Sequence, residues 1–473
     1  MRLINAKDIG GLDENYQYFT YNGLDSAVTR ELHDILYPQT WDLYEFEKKL
    51  MGPCLAMMRR GFKIDLVQRE YLAIEYKNKI ESILARIKST VGNLTSNEDF
   101  NPNSYKQMQQ LLYEDLMYPE QFAYKKGERV VTTDRDALER LYKLYSRCRP
   151  LIALLLTLRD AEKIYSVLTK GLDDGRWTFS INIGGTETGR FSSSKSPVGL
   201  GSNIQNLTNK MRVIFIPDEG YTLVSVDLKC AESKGVAYLA LDENYIAACN
   251  SEDVHTMVAK DVWPDKVQDR ESADAHYYRD YSYRDMSKRG QHGSNYYGTP
   301  YTMARHLKVP QVVMEDFQTK YFNKFPDIRE GHRSTAIELQ KTGQLTTPLG
   351  RRRQFWGRLR DDTTLREAIA YVPQSLIADI TNMGLYKVWH YLEPKGLQVL
   401  AQCHDSVVAQ IPTNKVAELL PLMVQYMTAT VEVNGLDMTI ECDAEVGMNW
   451  GKFNANPERG PLNLEGLKKW KGN

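Results

Sequence analysis

"LQVLAQCHDSVVAQIP" occupies residues 397–412. Val, Leu and Ile alternate with polar residues on either side of His404-Asp405, which predicts strand, tight turn, strand. Asp405 then sits at the hairpin tip. A turn aspartate often only bonds its own backbone, and that would account for Asp405 unless a second carboxylate meets it. "YTLVSVDLKCAES" at 221–233 supplies one, because the β run Thr222–Val226 ends on Asp227. Side by side in one sheet, two such carboxylates repel unless a cation lies between them. Oxygen ligands without His or Cys favour Mg²⁺ over zinc. Two Mg²⁺ ions about 3.5–4 Å apart would clamp the attacking and leaving oxygens of a phosphoryl transfer.

The length of 473 residues allows two to four domains, and 42% hydrophobic with 26% charged residues is ordinary for a globular chain. The formal net charge of −1 excludes a global basic field, so a nucleic-acid ligand would be held by local patches. The six cysteines form no Cys-x-x-Cys pair, which argues against a zinc site or a disulfide framework and for a reducing compartment. "MRLINAKDIGG" is too polar for a signal peptide, and the longest apolar run, "LIALLLTL" at 151–158, is too short to span a bilayer. The expected location is the cytoplasm of a bacterium or of a phage-infected host, with no membrane partner.

Leu72, Tyr76, Ile80, Ile83, Ile87 and Val91 predict an amphipathic helix over 69–91, ended by "GNLTSN". A second long helix is predicted over 150–170, with Pro150 in its first turn. Between them lies a basic segment, "YKKGERVVTT" at 124–133, read either as a solvated loop or as the tip of a lobe reaching an anion. Residues 171–208 read as strand and loop, 253–390 as mostly helical, and the chain returns to short strands after 395.

"YRDMSKRGQHGSNYYG" at 283–298 places Arg284, Lys288 and His292 at i, i+4 and i+8, one cationic stripe on a helix. Such a stripe is either a solvated basic face or a match for a row of phosphates. Gly290 and Gly293 each cost about 1 kcal/mol against Ala in a helix interior. The sequence reading assigns that cost to close approach of something flat, such as a base, with Tyr296 and Tyr297 as stacking surfaces.

Taken in order, these segments resemble the family A DNA polymerases, the group of bacterial DNA polymerase I and many phage replicases. "SVDLKCAES" resembles the first metal motif, with Asp227 as ligand and Glu232 five residues on. "RDMSKRGQHGSNYYG" resembles the fingers motif through Arg284, Lys288 and Tyr296, and "QCHDSVV" the second metal motif through His404 and Asp405. "TETGRFSSS" and "NIQNL" resemble template–primer contact segments, giving Arg190, Gln205 and Asn206. "DVHT" gives His255 near the incoming phosphates, and "REAIAYVPQS" gives Arg366 and Gln374. "LRDAEKIYSVL" resembles the thumb, giving Arg159 and Lys163, with Lys125, Lys126 and Arg129 at its basic tip.

The resemblance implies an α+β, right-hand polymerase fold: palm (antiparallel sheet) over 41–66, 172–240 and 378–473, thumb (long helices) over 67–171, and helical fingers over 241–377. It implies addition of deoxynucleotides to a primer 3′ end with two Mg²⁺ ions on Asp227 and Asp405. Lys288 would act as general acid, Arg284 would hold the triphosphate, Glu232 would exclude ribonucleotides, and Tyr296 would pack at the base pair. His292 stands where the family has an aromatic residue against the sugar, and Ser406 where it has Glu. "YFTYNGLDSAVTRELHDIL" at 18–36 resembles the last segment of a 3′–5′ exonuclease domain through Tyr21 and Asp25, without the preceding Asp-x-Glu, so residues 1–40 read either as a remnant or edge of that domain or as a helix packing on the palm. The expectation is therefore a polymerase core without proofreading, of phage type. A separate exonuclease subunit and a processivity factor stand as candidate partners beside primer–template DNA and deoxynucleoside triphosphates. The competing readings are a single-subunit RNA polymerase, against which Glu232 argues, and a catalytically inactive DNA-binding replication subunit, against which the intact carboxylates and cations argue.

Overall fold

The structure, a computed structural model, describes residues 11–36, 41–95, 100–125, 128–172, 174–278 and 281–472. Its first helix, α1 (Glu14–Leu36), leaves Tyr16, Phe19, Tyr21 and Leu32 exposed. A short helix follows, α2 (Trp41–Lys49).

A helical arm comes next. The heptad-like apolar spacing seen in the sequence forms α3 (Leu66–Thr95), longer at both ends than the predicted 69–91. The basic segment, read either as a solvated loop or as a lobe tip, is a hairpin, β1 (Phe122–Lys125) with β2 (Glu128–Val131), because Val130 and Val131 can pair with Ala123 and Phe122. α4 (Arg135–Leu144) starts where Asp134 accepts the Ala137 N–H at 2.8 Å. α5 (Arg149–Leu168) has Pro150 in its first turn. Ile83, Ile87 and Val91 of α3 meet Ile152, Leu155 and Leu158 of α5 in a core separate from the main one. The arm therefore holds its own shape.

The main core centres on a five-stranded sheet and the helices against it. β3 (Tyr221–Leu228) is its middle strand, with Leu223, Val224, Val226 and Leu228 buried. α6 (Ala231–Ala240), α7 (Val254–Val262), α8 (Tyr283–Asn295), α9 (Pro300–Leu307) and α10 (Gln311–Lys324) form a helical block beyond it. A small hairpin, β4 (Gln344–Thr346) with β5 (Arg352–Gln354), leads into the 31-residue α11 (Asp362–Leu392). The chain then returns through β6 (Gln398–Cys403), β7 (Ser406–Pro412), α12 (Val416–Met427), β8 (Cys442–Gly447) and β9 (Lys468–Lys469).

Sheet order is β6-β7-β3-β8-β9, antiparallel throughout. The register sets Ser406 opposite Asp227 on one side and Asp443 opposite Asp227 on the other. The β6–β7 turn therefore abuts the end of β3, where the Leu228 N–H donates to the Asp405 carbonyl at 3.1 Å. His404 takes a left-handed backbone (φ +56°) to make that turn, and the Ser406 hydroxyl closes it on the Cys403 carbonyl at 2.9 Å.

Candidate active site

The sheet end carries an acidic cluster. Asp227 arrives there from β3 and Asp405 from the adjoining β6–β7 turn, with Asp443 and Glu445 from β8 on the far side. Burial raises the Asp227 carboxyl, and Asp405, Glu445 and Asp443 raise it further. Burial also raises Asp405, with Glu232 adding to it. A cavity of about 850 Å³ opens over this cluster, lined among others by Glu232, His255, Arg284, Lys288 and His292.

α8 forms the opposite wall. It begins with a capping box: the Ser282 hydroxyl accepts the Asp285 N–H at 3.0 Å, and the Asp285 carboxylate accepts the Ser282 N–H at 3.3 Å. That start point aims Arg284, Lys288 and His292 into the cavity. Arg284 is not free: its Nε and Nη2 donate to the two Asp253 oxygens at 2.8 and 3.1 Å. Arg270 Nη1 donates to the same carboxylate at 2.7 Å, and Asp253 also caps α7. Burial opposes ionisation of Asp253, but Arg284 and Thr256 outweigh it and hold the carboxyl well below its usual range.

His255, in the first turn of α7, is pushed down to about 4 by burial and by the nearby Arg284 charge. It is a neutral imidazole at neutral pH. Its Nδ1 is buried without a hydrogen-bond partner.

Glu232, in the first turn of α6, is the hub on the other side. Arg190 makes a salt bridge to it, and His292 Nδ1 lies 3.6 Å from its second oxygen. Burial and then Glu232 raise the Tyr296 phenol, whose hydroxyl is buried. The His292 and Tyr296 rings meet edge to face at 5.0 Å.

The two helix glycines have a different cause from the one the sequence suggested. A Cβ on Gly290 would sit 2.5 Å from the Phe317 ring, and one on Gly293 would lie 3.0 Å from Met303. The flat body that needs the space is an aromatic side chain of α10, not a ligand.

The remaining residues singled out in the sequence scatter. Gln205 Nε2 reaches the Gln402 carbonyl at 3.4 Å beside the β6–β7 turn, with Asn206 and His404 exposed nearby. Arg366 and Gln374 lie half-buried on α11, and Arg366 Nε is buried without a partner. Arg159 and Lys163 belong to α5, in the arm, and do not line the cavity. Lys125 ends β1, Arg129 covers the Phe122 ring at 3.6 Å, and Lys126 lies outside the described residues. Sequence reading missed Asp253, Arg270, Asp443 and Glu445. Asp253 had a signal, an acidic residue just before a helix, but its partner Arg284 lies 31 residues away.

Among the described residues no group of three or more His, Cys, Asp or Glu side chains is arranged to hold a metal alone. The paired Asp227 and Asp405, raised by burial and by acidic neighbours, fit a hard divalent cation.

The DNA polymerase family A model matches residues 70–452, and the chain belongs to that family. It is similar to DNA polymerase I of Caldicellulosiruptor bescii (27% identical over 429 residues, 86% of this chain and 47% of the relative). It is equally similar to the thermostable DNA polymerase I of Thermus aquaticus (27% over 428 residues, 87% and 48%). The chain thus spans about half the length of the curated relatives it matches. A solved structure, the POL domain of Pol1 from M. smegmatis in complex with DNA primer-template and dNTP, matches with a TM-score of 0.71 at 26% identity. That match covers 86% of this chain and 70% of that one, and the fold is the right-hand polymerase fold. No helix among the described residues is long and apolar enough to cross a membrane.

Proposed function

We propose that the chain catalyses template-directed addition of deoxynucleotides to a primer 3′ end. The observation that carries this reading is the sheet register, which sets Asp227 beside the Asp405 turn and opposite Arg284 and Lys288 across one cavity. On this reading the sheet and α11–α12 are the palm, the α3–α5 arm the thumb, and the α7–α10 block the fingers. Two Mg²⁺ ions, held by Asp227 and Asp405, would neutralise charge and lower the pKa of the primer hydroxyl.

The chain's own groups divide the remaining work. Arg284 and Lys288 bind the triphosphate, and Lys288 is placed to hand a proton to the departing pyrophosphate. Neutral His255 lines the same cavity and adds no charge beside the phosphates. Glu232, braced by Arg190, crowds the sugar 2′ position, and His292 lies beside the sugar. Tyr296 closes the base-pair side. Gln205, Asn206, Arg366, Gln374 and His404 contact the template–primer, while Arg159, Lys163, Lys125, Lys126 and Arg129 grip phosphates without reading sequence. Proofreading is not assigned to these residues, since Tyr21 and Asp25 lie exposed on α1.

Primer extension on a primed template with Mg²⁺ tests the reading, with deoxy- and ribonucleotides compared and a 3′-mismatched primer included. Extension with deoxynucleotides alone and no trimming is expected. Ribonucleotide use would replace the reading with an RNA polymerase. Binding without extension would replace it with an inactive DNA-binding subunit, and trimming would restore a nuclease.

A further inference from the structure

We propose that Asp253 is a positioning residue for the incoming triphosphate: it grips Arg284 along one edge of the guanidinium and so sets the other edge toward the phosphates. The inference rests on the polymerase reading above, which puts the triphosphate between Arg284 and the two metal-binding aspartates. Asp253, Arg284 and Arg270 all line the cavity over Asp227 and Asp405.

Asp253 is fixed independently of any arginine. Its Oδ1 accepts the N–H groups of His255 and Thr256 at 3.1 and 3.4 Å, and its Oδ2 accepts the Thr256 hydroxyl at 2.8 Å. The carboxylate is thus tied to the first turn of α7, which the main core holds through Val254, Val258 and Val262. Onto this mount Arg284 donates twice, Nε to Oδ2 at 2.8 Å and Nη2 to Oδ1 at 3.1 Å. A guanidinium carries five N–H donors in a planar fork. Asp253 occupies the Nε–Nη2 edge, which leaves both hydrogens of Nη1 and the second of Nη2 for a bidentate phosphate contact.

A carboxylate in a cavity for a polyanion needs a reason, because it repels the ligand. Charge does not supply one. Arg270 Nη1 donates to Asp253 Oδ2 at 2.7 Å and its Nε to Asp274 at 2.6 Å, so the two arginines and the two aspartates cancel. What the carboxylate adds is orientation. An arginine free to rotate loses that freedom when it closes on a ligand, whereas one already held does not. The Arg284 side chain is 24% exposed, so without Asp253 it would have solvent to turn into.

The test is single-nucleotide insertion kinetics on a primed template, with dTTP binding measured on a dideoxy-terminated primer. Asn caps a helix as well as Asp does, so Asp253→Asn keeps the α7 cap while setting N–H against N–H at Arg284. The variant should melt within a few degrees of wild type. It should raise the KM and Kd for dTTP about tenfold, the lower end for one charge-assisted hydrogen-bonded group, with kcat nearly unchanged. In an Arg284→Ala background Asp253→Asn should weaken binding no further, because the residue it acts through is gone. An equal loss in both backgrounds would mean that the variant acts by disturbing α7 and His255, and would overturn the positioning role. An unchanged Kd in the single variant would overturn it too, and a lower one would show Asp253 competing with the phosphates for Arg284. Asp253-dependent dTTP binding by a chain that never extends a primer would uphold the positioning role while overturning the polymerase reading.

Discussion

Arg351→Met should destabilise the fold by about 3–5 kcal/mol, the cost of stranding a buried charge. Arg351 lies in the β4–β5 loop with its side chain 11% exposed, and Asp379 on α11 is 2% exposed. Its Nε lies 3.2 and 3.1 Å from the two Asp379 oxygens, Nη2 lies 2.7 Å from one of them, and Nη1 lies 2.8 Å from Glu47 of α2. Without the guanidinium, buried Asp379 loses the cation and the hydrogen bonds that Arg351 supplies. The loss corresponds to about 10²–10⁴ in the folded-to-unfolded ratio. Burial already raises the Asp379 carboxyl and Arg351 opposes it, so the variant's carboxyl rises further. A carboxyl raised by folding loses stability as pH rises from its unfolded value of about 4 through its folded pKa, so the deficit should be larger at pH 8 than at pH 5.

The site should feel the change too. A Cβ on Gly189 (φ +77°) would lie 2.5 Å from the Arg351 guanidinium, and the Gly189 carbonyl accepts Asn382 Nδ2 at 3.2 Å. The next residue is Arg190, the partner of Glu232. Chemical denaturation at the two pH values, with DNA affinity measured alongside, gives both readouts. Arg351→Met/Asp379→Leu should recover most of the stability, because an apolar pair replaces a buried ionic one at little cost. A single variant within 1 kcal/mol of wild type, or a double variant no better than the single, would refute the reasoning.

Glu232→Ala should raise ribonucleotide incorporation in a competition assay and free Arg190; an unchanged ratio removes Glu232 from the sugar site. Arg284→Ala should raise the KM for deoxynucleotide about 10- to 100-fold, the worth of lost charge-assisted hydrogen bonds at about 1.5–3 kcal/mol, and Arg284→Lys should fall between. Single-nucleotide kinetics would show the triphosphate bound elsewhere if KM stayed constant. His255 is held down to about 4, so the unfolded chain takes up its proton first as pH falls from about 6.5. His255→Gln should flatten the loss of stability between those values, and thermal melts of unchanged slope would contradict the burial argument.

What the sequence displayed was local. Alternation marked β6 and β7 and a short β run marked β3, which placed both aspartates at strand ends, and the i, i+4, i+8 spacing put Arg284, Lys288 and His292 on one face of α8. What it hid depends on pairing across distance. Asp443 joins the acidic end only through the β3–β8 register, and Asp253 finds Arg284 only when α7 packs on α8. The Gly290 and Gly293 penalties looked like ligand space because Phe317 and Met303 come from later helices. The β1–β2 hairpin did not show because its four-residue strands are short and Lys, Glu and Arg cluster around the turn. Nothing local in the sequence says that Arg351 and Asp379, 28 residues apart, bury each other.

Single-turnover insertion of one deoxynucleotide by Asp227→Asn and Asp405→Asn, with primer–template affinity measured on the same samples, bears most directly on the paired carboxylates. Each variant should insert at least 100-fold more slowly than wild type, the scale of losing one electrostatic group at a reacting centre. Each should bind DNA at least as tightly, because one repelling charge is gone from the acidic sheet end. Insertion within tenfold of wild type in either variant would contradict the claim that both aspartates serve the reacting phosphate.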